Sequence, residues 1–188
     1  MTPYERLPES LEHNGTLYIL DLSYAAYFAA ADALQDERLD DRTKLQTALS
    51  LLVRHPDPPQ DPELLRAIFA LVRDEAPRKS DGPKTMDLVQ DWPYICAAFQ
   101  QAYGIDLYED KSLHILRFRA LLQAIPKDTK LAEIVGIRGA KIPKPTKYNQ
   151  EQIADLTRLK AIYALRGGTA SLQDGWARLF QMLEARAK

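Results

Sequence analysis

The stretch that decides the fold runs from Gly104 to Ile142 and reads GIDLYEDKSLHILRFRALLQAIPKDTKLAEIVGIRGAKI. Gly104 follows a run from Trp92 to Tyr103 that Asp91 opens, and a glycine there suits the left-handed C-terminus of a helix. From about Glu109 to Ala124 the spacing predicts a second helix, with His114 inside it and Pro126 stopping it. On its wheel Leu113, Leu116, Arg117 and Ala120 share one stripe, and Ile115, Phe118, Arg119 and Leu122 share the next. Arg117 and Arg119 stand about 200° apart, so at most one points straight at a core. A helix apolar on more than one side is either buried in its own domain or offers its second face to a partner helix. Beyond Pro126, Asp128 or Thr129 caps a short helix through Val135, and a basic, proline-containing loop runs from Arg138 to Lys147.

Helical periodicity continues outward in both directions. Asn149 opens a long helix with Ile153, Leu156, Leu159, Ile162 and Tyr163 as its apolar face, and Gly167-Gly168 terminates it. Ser171 can cap a final amphipathic helix carrying Leu172, Trp176, Leu179, Phe180 and Leu183. Toward the N-terminus, Asn14-Gly15 is a turn dipeptide of two-residue hairpins, with Leu11 before it and Thr16 to Leu20 after it. Ser23 caps a helix whose face is Tyr24, Tyr27, Phe28, Ala31 and Leu34. Asp40 or Asp41 caps the next, with Leu45, Ala48, Leu49 and Leu52 inward. The run from His55 to Pro59 breaks it. Asp61-Pro62 then starts a helix with Leu64, Leu65, Ile68, Phe69 and Val72 as its stripe. The segment from Glu75 to Thr85 is polar and rich in breakers, and reads as a mobile loop.

The expected fold class is therefore mainly α: an irregular bundle of about seven to eight helices with a small N-terminal β-hairpin. Four stretches follow: residues 1–74, hairpin plus helices; 75–85, linker or loop; 86–166, the helical core; and 167–188, the C-terminal amphipathic helix. All four are expected in one compact domain.

Composition narrows the functional classes. The 188 residues are 46% hydrophobic and 27% charged, an ordinary globular balance. The single cysteine, Cys96, allows no internal disulfide and fits a reducing compartment. No apolar run approaches the roughly 20 residues of a membrane span, and the opening residues MTPYERLPES carry no signal-peptide core. The expected location is the cytoplasm. The net charge is −1 but unevenly spread. Residues 1–110 hold 20 acidic against 10 basic side chains, whereas residues 111–166 hold 4 against 12. Either the two halves attract each other or the basic half steers an acidic partner.

Catalytic and ligand motifs are missing. His13, His55 and His114 have no second His or Cys at ligand spacing, so no metal site is expected. Cys96, between Ile95 and Ala97-Ala98-Phe99, reads as a small core residue rather than a nucleophile. Arg166-Gly167-Gly168-Thr169 lacks the lysine and spacing of a phosphate loop. The pairs Asp40-Asp41 and Glu109-Asp110 sit at expected helix starts, where capping explains them. Arg117, Arg119, Arg138, Lys141, Lys144 and Lys147, with Tyr148, form a basic region. The overall pI near 6.3 argues against a dedicated nucleic-acid-binding domain. No enzyme activity and no cofactor are expected.

The residues from Asp91 to Leu165 also resemble a known family. The succession runs through Ile95, Ala97-Ala98-Phe99, Tyr103-Gly104-Ile105-Asp106-Leu107, the segment Leu113 to Leu122, Ile125-Pro126-Lys127-Asp128-Thr129, Ile134, Ile137-Arg138, Lys160 and Tyr163-Ala164-Leu165. It is similar to the bacteriophage gene-product-fifteen family, found in tailed phages and prophages. Leu7-Pro8, Gly15 with Tyr18-Ile19, and the helix around Phe28 resemble it more loosely. One departure is Ile115-Leu116, where many members carry an aromatic pair. The resemblance implies a role in the tail module, because genes of the family tend to lie near the tape-measure gene. It implies a non-enzymatic tail assembly chaperone in the bacterial host cytoplasm, binding the tape-measure protein or other tail proteins, with homo-oligomer formation open. The candidate partner-binding residues are Leu113, Leu116, Arg117, Phe118, Arg119 and Arg138, with Trp176 and Phe180 of the last helix, which lies beyond the resemblance and would form a ring interface in a virion component. A structural virion component, such as a tail-completion or connector protein, and a nucleic-acid-binding packaging accessory are the alternatives.

Overall fold

The computed structural model describes residues 6–73 and 84–166. The expected helix over 172–187, with Trp176 and Phe180, lies outside the described residues. So do Gly167-Gly168 and most of the segment from Glu75 to Thr85. Within the described residues the order is β1 (Ser10–His13), β2 (Thr16–Ile19), α1 (Tyr24–Gln35), α2 (Asp41–Leu52), α3 (Pro62–Leu71), α4 (Trp92–Tyr103), α5 (Ile115–Gln123), α6 (Lys130–Gly139) and α7 (Gln150–Ile162). The fold is mainly α with one two-stranded antiparallel sheet, as the periodicity predicts.

The chain divides into two compact units. Among the described residues the first holds 6–73 and 110–121, and the second holds 84–109 and 122–166.

In the first unit, Asn14 at φ 51° and Gly15 at φ 75° make the tight turn, and the strands register from His13 opposite Thr16 to Ser10 opposite Ile19. Ser23 caps α1 by accepting from Ala26 N, Asp40 caps α2 through Thr43 N and Asp61 caps α3 through Glu63 N. Each satisfies a backbone donor that helix geometry leaves open. Helix α2 ends at Leu52 because the chain turns extended: Val53 bridges to Leu20, and Arg54 N donates to Ile19 O at 2.9 Å. Tyr27, Leu49, Leu52, Leu64, Leu65, Ile68 and Phe69 are among its fully buried side chains.

The second unit packs α4 on α6 and α6 on α7. Gly104 ends α4 at φ 67°, ψ 16°, the left-handed conformation expected of it. Among the described residues, seven buried apolar residues belong to this unit (Ile95, Cys96, Ala98, Phe99, Leu107, Leu131, Ile134), against nineteen in the first unit. With so small an apolar share, polar ties matter more to this unit.

Three boundaries differ from the sequence reading, each for a local reason. Helix α5 begins at Ile115, not near Glu109. Asp106 accepts from Tyr108 N, and Asp110 accepts from Ser112 N and Oγ. Such short side chains offer the backbone turns that compete with a helix. Leu113-His114 is then held extended: Tyr24 N donates to Leu113 O, Ile115 N donates to Leu22 O and His114 bridges Ser23. His114 therefore precedes the helix rather than lying inside it, and Glu109-Asp110 is not a helix start. Helix α6 runs to Gly139, past Val135, which puts Arg138 on the helix and not in the loop. Helix α7 ends at Ile162, before the glycine pair, with Tyr163 as its C-cap. Its expected face is half-covered at Ile153, Leu156, Leu159 and Tyr163, but Ile162 is 63% exposed.

Candidate functional site

The suggested partner-binding residues fall into two settings. In the first unit they cluster around α5. His114 occupies the capping position, its Nδ1 accepting from Leu116 N at 3.2 Å. With Nδ1 accepting, the ring hydrogen of the neutral imidazole sits on Nε2, 3.0 Å from Pro8 O, so the ring donates there. Burial lowers the pKa of His114 below its ordinary value, against the opposing pull of Pro8 O and Glu9. Phe118, one turn on, stacks on Tyr24 with centroids 5.0 Å apart and 19° between planes. It meets Phe28 edge-on at 5.4 Å. Arg119 donates to Val72 O and to Tyr27 Oη at 3.3 Å, and its guanidinium lies 5.3 Å from the Tyr27 ring centroid.

The two stripes of α5 thus separate. Ile115 and Phe118 are buried, with Arg119 and Leu122 half-buried beside them. Leu116 is half-buried, while Arg117 and Ala120 are exposed. Leu113 is buried in the extended segment before the helix. Of the suggested residues here, Leu116 and Arg117 reach solvent.

In the second unit Arg138 is the hub. Its Nη1 donates to Asp91 Oδ2 at 2.6 Å and its Nη2 to Asp91 Oδ1 at 2.8 Å. Nε donates to Tyr163 O at 2.6 Å, and Nη1 also reaches Thr85 O at 3.0 Å. Lys160 Nζ donates to Arg138 O at 2.7 Å. One guanidinium therefore gathers the start of α4, the end of α7 and the strand of chain before Asp87. Asp91 also accepts from Asp87 N at 2.8 Å, which is why it makes no side-chain cap bond to α4. Asp87 is buried in turn. Desolvation works against its ionisation, but Lys84, Gln90 N and Val89 N outweigh that and hold its carboxyl below the usual range. Arg138, placed by the sequence in a basic loop and among the partner-binding residues, instead pairs with the carboxylate of Asp91. Asp87, Lys84 and the Tyr163 carbonyl were missed, and only the Asp spacing at 87 and 91 could have signalled the first.

Neither setting holds an accessible nucleophile beside a base. Cys96 lies buried on α4, and burial pushes its thiol up, away from the reactive thiolate. Among the described residues no group of three or more His, Cys, Asp or Glu could hold a metal ion, and no helix is long and apolar enough to cross a membrane.

A mainly α protein with an N-terminal hairpin and polar hubs built for cohesion is the class these features define. Within it the chain belongs to the family described as Bacteriophage Gp15 protein, whose model matches residues 4–165. It is thus a bacteriophage protein. No curated protein and no solved structure matches it.

Proposed function

We propose that this protein is a non-enzymatic tail assembly chaperone that binds the tape-measure protein in the host cytoplasm during tail morphogenesis. Membership of the phage family over residues 4–165 carries the reading. The stripe of Leu116, Arg117 and Ala120, left on the outer side of α5, supports it as a surface where a partner helix can lie. Arg138, Phe118, Leu113 and Arg119 then act from behind, fixing the helices rather than touching a partner. Co-expression with the tape-measure protein of the same phage tests this. The tape measure is expected to move into the soluble fraction; no change in its solubility argues against the proposal.

The second reading, a structural component of the tail, is separated by mass spectrometry of purified virions. A chaperone is absent from particles, whereas a tail-completion or connector protein is present at a fixed copy number.

A further inference from the structure

The two edges of the hairpin differ. Leu20 N donates inward, to Glu9 O at 2.8 Å, so even-numbered residues of β2 turn their backbone groups to β1 and odd-numbered ones turn theirs away. Ile19 O is met from outside by Arg54 N at 2.9 Å, and Asp21 N donates to Leu52 O at 2.8 Å. With Leu20 opposite Val53, these bonds begin a third strand beside β2. The next donor due, opposite Leu17, is Pro56, which has no N–H to give. The chain peels away there: His55 N turns back to Val53 O at 2.8 Å, and Asp57 N donates to His55 Nδ1 at 3.1 Å. A cleft of about 430 Å³ opens between β2 and the departing chain, walled there by His55, Asp57 and Pro59. Among the described residues the N–H and C=O of Leu17 and the N–H of Ile19 find no hydrogen-bond partner. Their side chains are 63% and 50% exposed.

We propose that this cleft receives an extended segment of a protein partner, which adds as a strand to the outer edge of β2. In the antiparallel sense one partner residue exchanges both backbone bonds with Leu17. The residue two places nearer the partner's N-terminus accepts from Ile19 N–H. Both partner side chains then lie on the face of Leu17 and Ile19, where apolar, β-branched residues pack best. Open backbone groups select a strand over a helix, whose own donors and acceptors are already paired. A second copy of the chain fits less well. Its β2 carries β1 about 4.8 Å behind, and that strand runs into the wall of the cleft. Exposed edges are commonly blunted by lysine or proline, and β2, Thr-Leu-Tyr-Ile, holds neither. The cleft uses none of the α5 residues invoked above, and the inference holds whether or not the partner is the tape-measure protein.

The test follows amide hydrogen exchange of the full chain by NMR. In the free protein Leu17 and Ile19 are expected to exchange at least about tenfold faster than Tyr18 and Leu20, whose N–H groups face β1. The probe is the capped peptide Lys-Val-Thr-Val-Thr-Val-Lys, and the control is the same peptide N-methylated at every valine and threonine, which keeps the side chains and removes the donors. At saturation the probe is expected to slow exchange at Leu17 and Ile19 about tenfold, and the control to bind about tenfold more weakly. Leu17→Pro removes an outward donor without touching a bond to β1, a place where an edge strand tolerates proline, and it is expected to weaken the probe about tenfold. Should that variant not fold, the methylated peptide makes the same comparison on the wild-type chain. Equal binding of the two peptides, or no binding of the probe, overturns the proposal. So does protection of both amides in the free chain: protection lost on dilution marks a second copy in the cleft, and protection that persists marks a segment of the same chain.

Discussion

Arg138 closes on Asp91 through two parallel hydrogen bonds of 2.6 and 2.8 Å, with 9% of the arginine and 1% of the aspartate side chain exposed. This planar fork joins the last turn of α6 to the start of α4. Asp91→Ala leaves a nearly buried guanidinium with no counter-charge, and a loss of about 3–5 kcal/mol is expected. Arg138→Lys keeps the charge but loses the fork and the bond to Tyr163 O, so it too destabilises. The apolar pair D91L/R138M is expected to recover part of the Asp91→Ala loss, because it leaves neither charge unpaired. Urea unfolding of the four proteins checks the order. A wild-type midpoint in Asp91→Ala contradicts the hub.

His114 gives the fold a pH dependence. Burial holds its folded pKa below the ordinary 6.5, so below that pH the unfolded chain binds more protons than the folded one. Stability is then full above about pH 6.5 and falls as pH drops through it. Protonation would also place a hydrogen on Nδ1 against Leu116 N–H. His114→Asn keeps a capping acceptor and does not titrate. Its stability is expected to change less between pH 7 and 5 than that of the wild type. Parallel curves for the two proteins would reject this role.

Phe118 is held by Tyr24 and Phe28, and 1% of it is exposed. Phe118→Ala is expected to cost about 3–5 kcal/mol. Arg117→Ala, one residue away and exposed, is expected to stay within about 0.5 kcal/mol of wild type. Thermal unfolding distinguishes the two, and equal effects would show that the stripes of α5 are not separated as described.

Gly104 isolates a backbone effect. Its φ is 67°, and a Cβ added there meets nothing within 4 Å. The cost of Gly104→Ala is therefore conformational, about 1–2 kcal/mol, with no steric part. Gly104→Asn, which tolerates the left-handed region, is expected to lose less.

Much of this was legible in the sequence because it is written locally. The Asn14-Gly15 turn, the caps Ser23 and Asp61, the cap pairs Asp40-Asp41 and Asp128-Thr129, of which Asp40 and Thr129 make the bond, and the Gly104 stop each depend on neighbours within a few residues. What was not legible depends on distant partners. The pattern of Leu113 to Leu122 suits a helix throughout, and only the Leu22–Tyr24 segment, pairing with Leu113 and Ile115, keeps its first two residues extended. Asp91 looked like a cap for the same reason. Its carboxylate goes instead to Arg138, forty-seven residues away, and no local pattern encodes that choice.

The proposed binding of the tape-measure protein is tested by the stoichiometry of an affinity-tagged copy purified from cells that also make the untagged tape measure. The expected result is a soluble complex at a reproducible ratio, lost when Leu116 and Arg117 are both replaced by aspartate although the variant remains folded. A tagged chain that emerges alone while the tape measure stays in the pellet would contradict it.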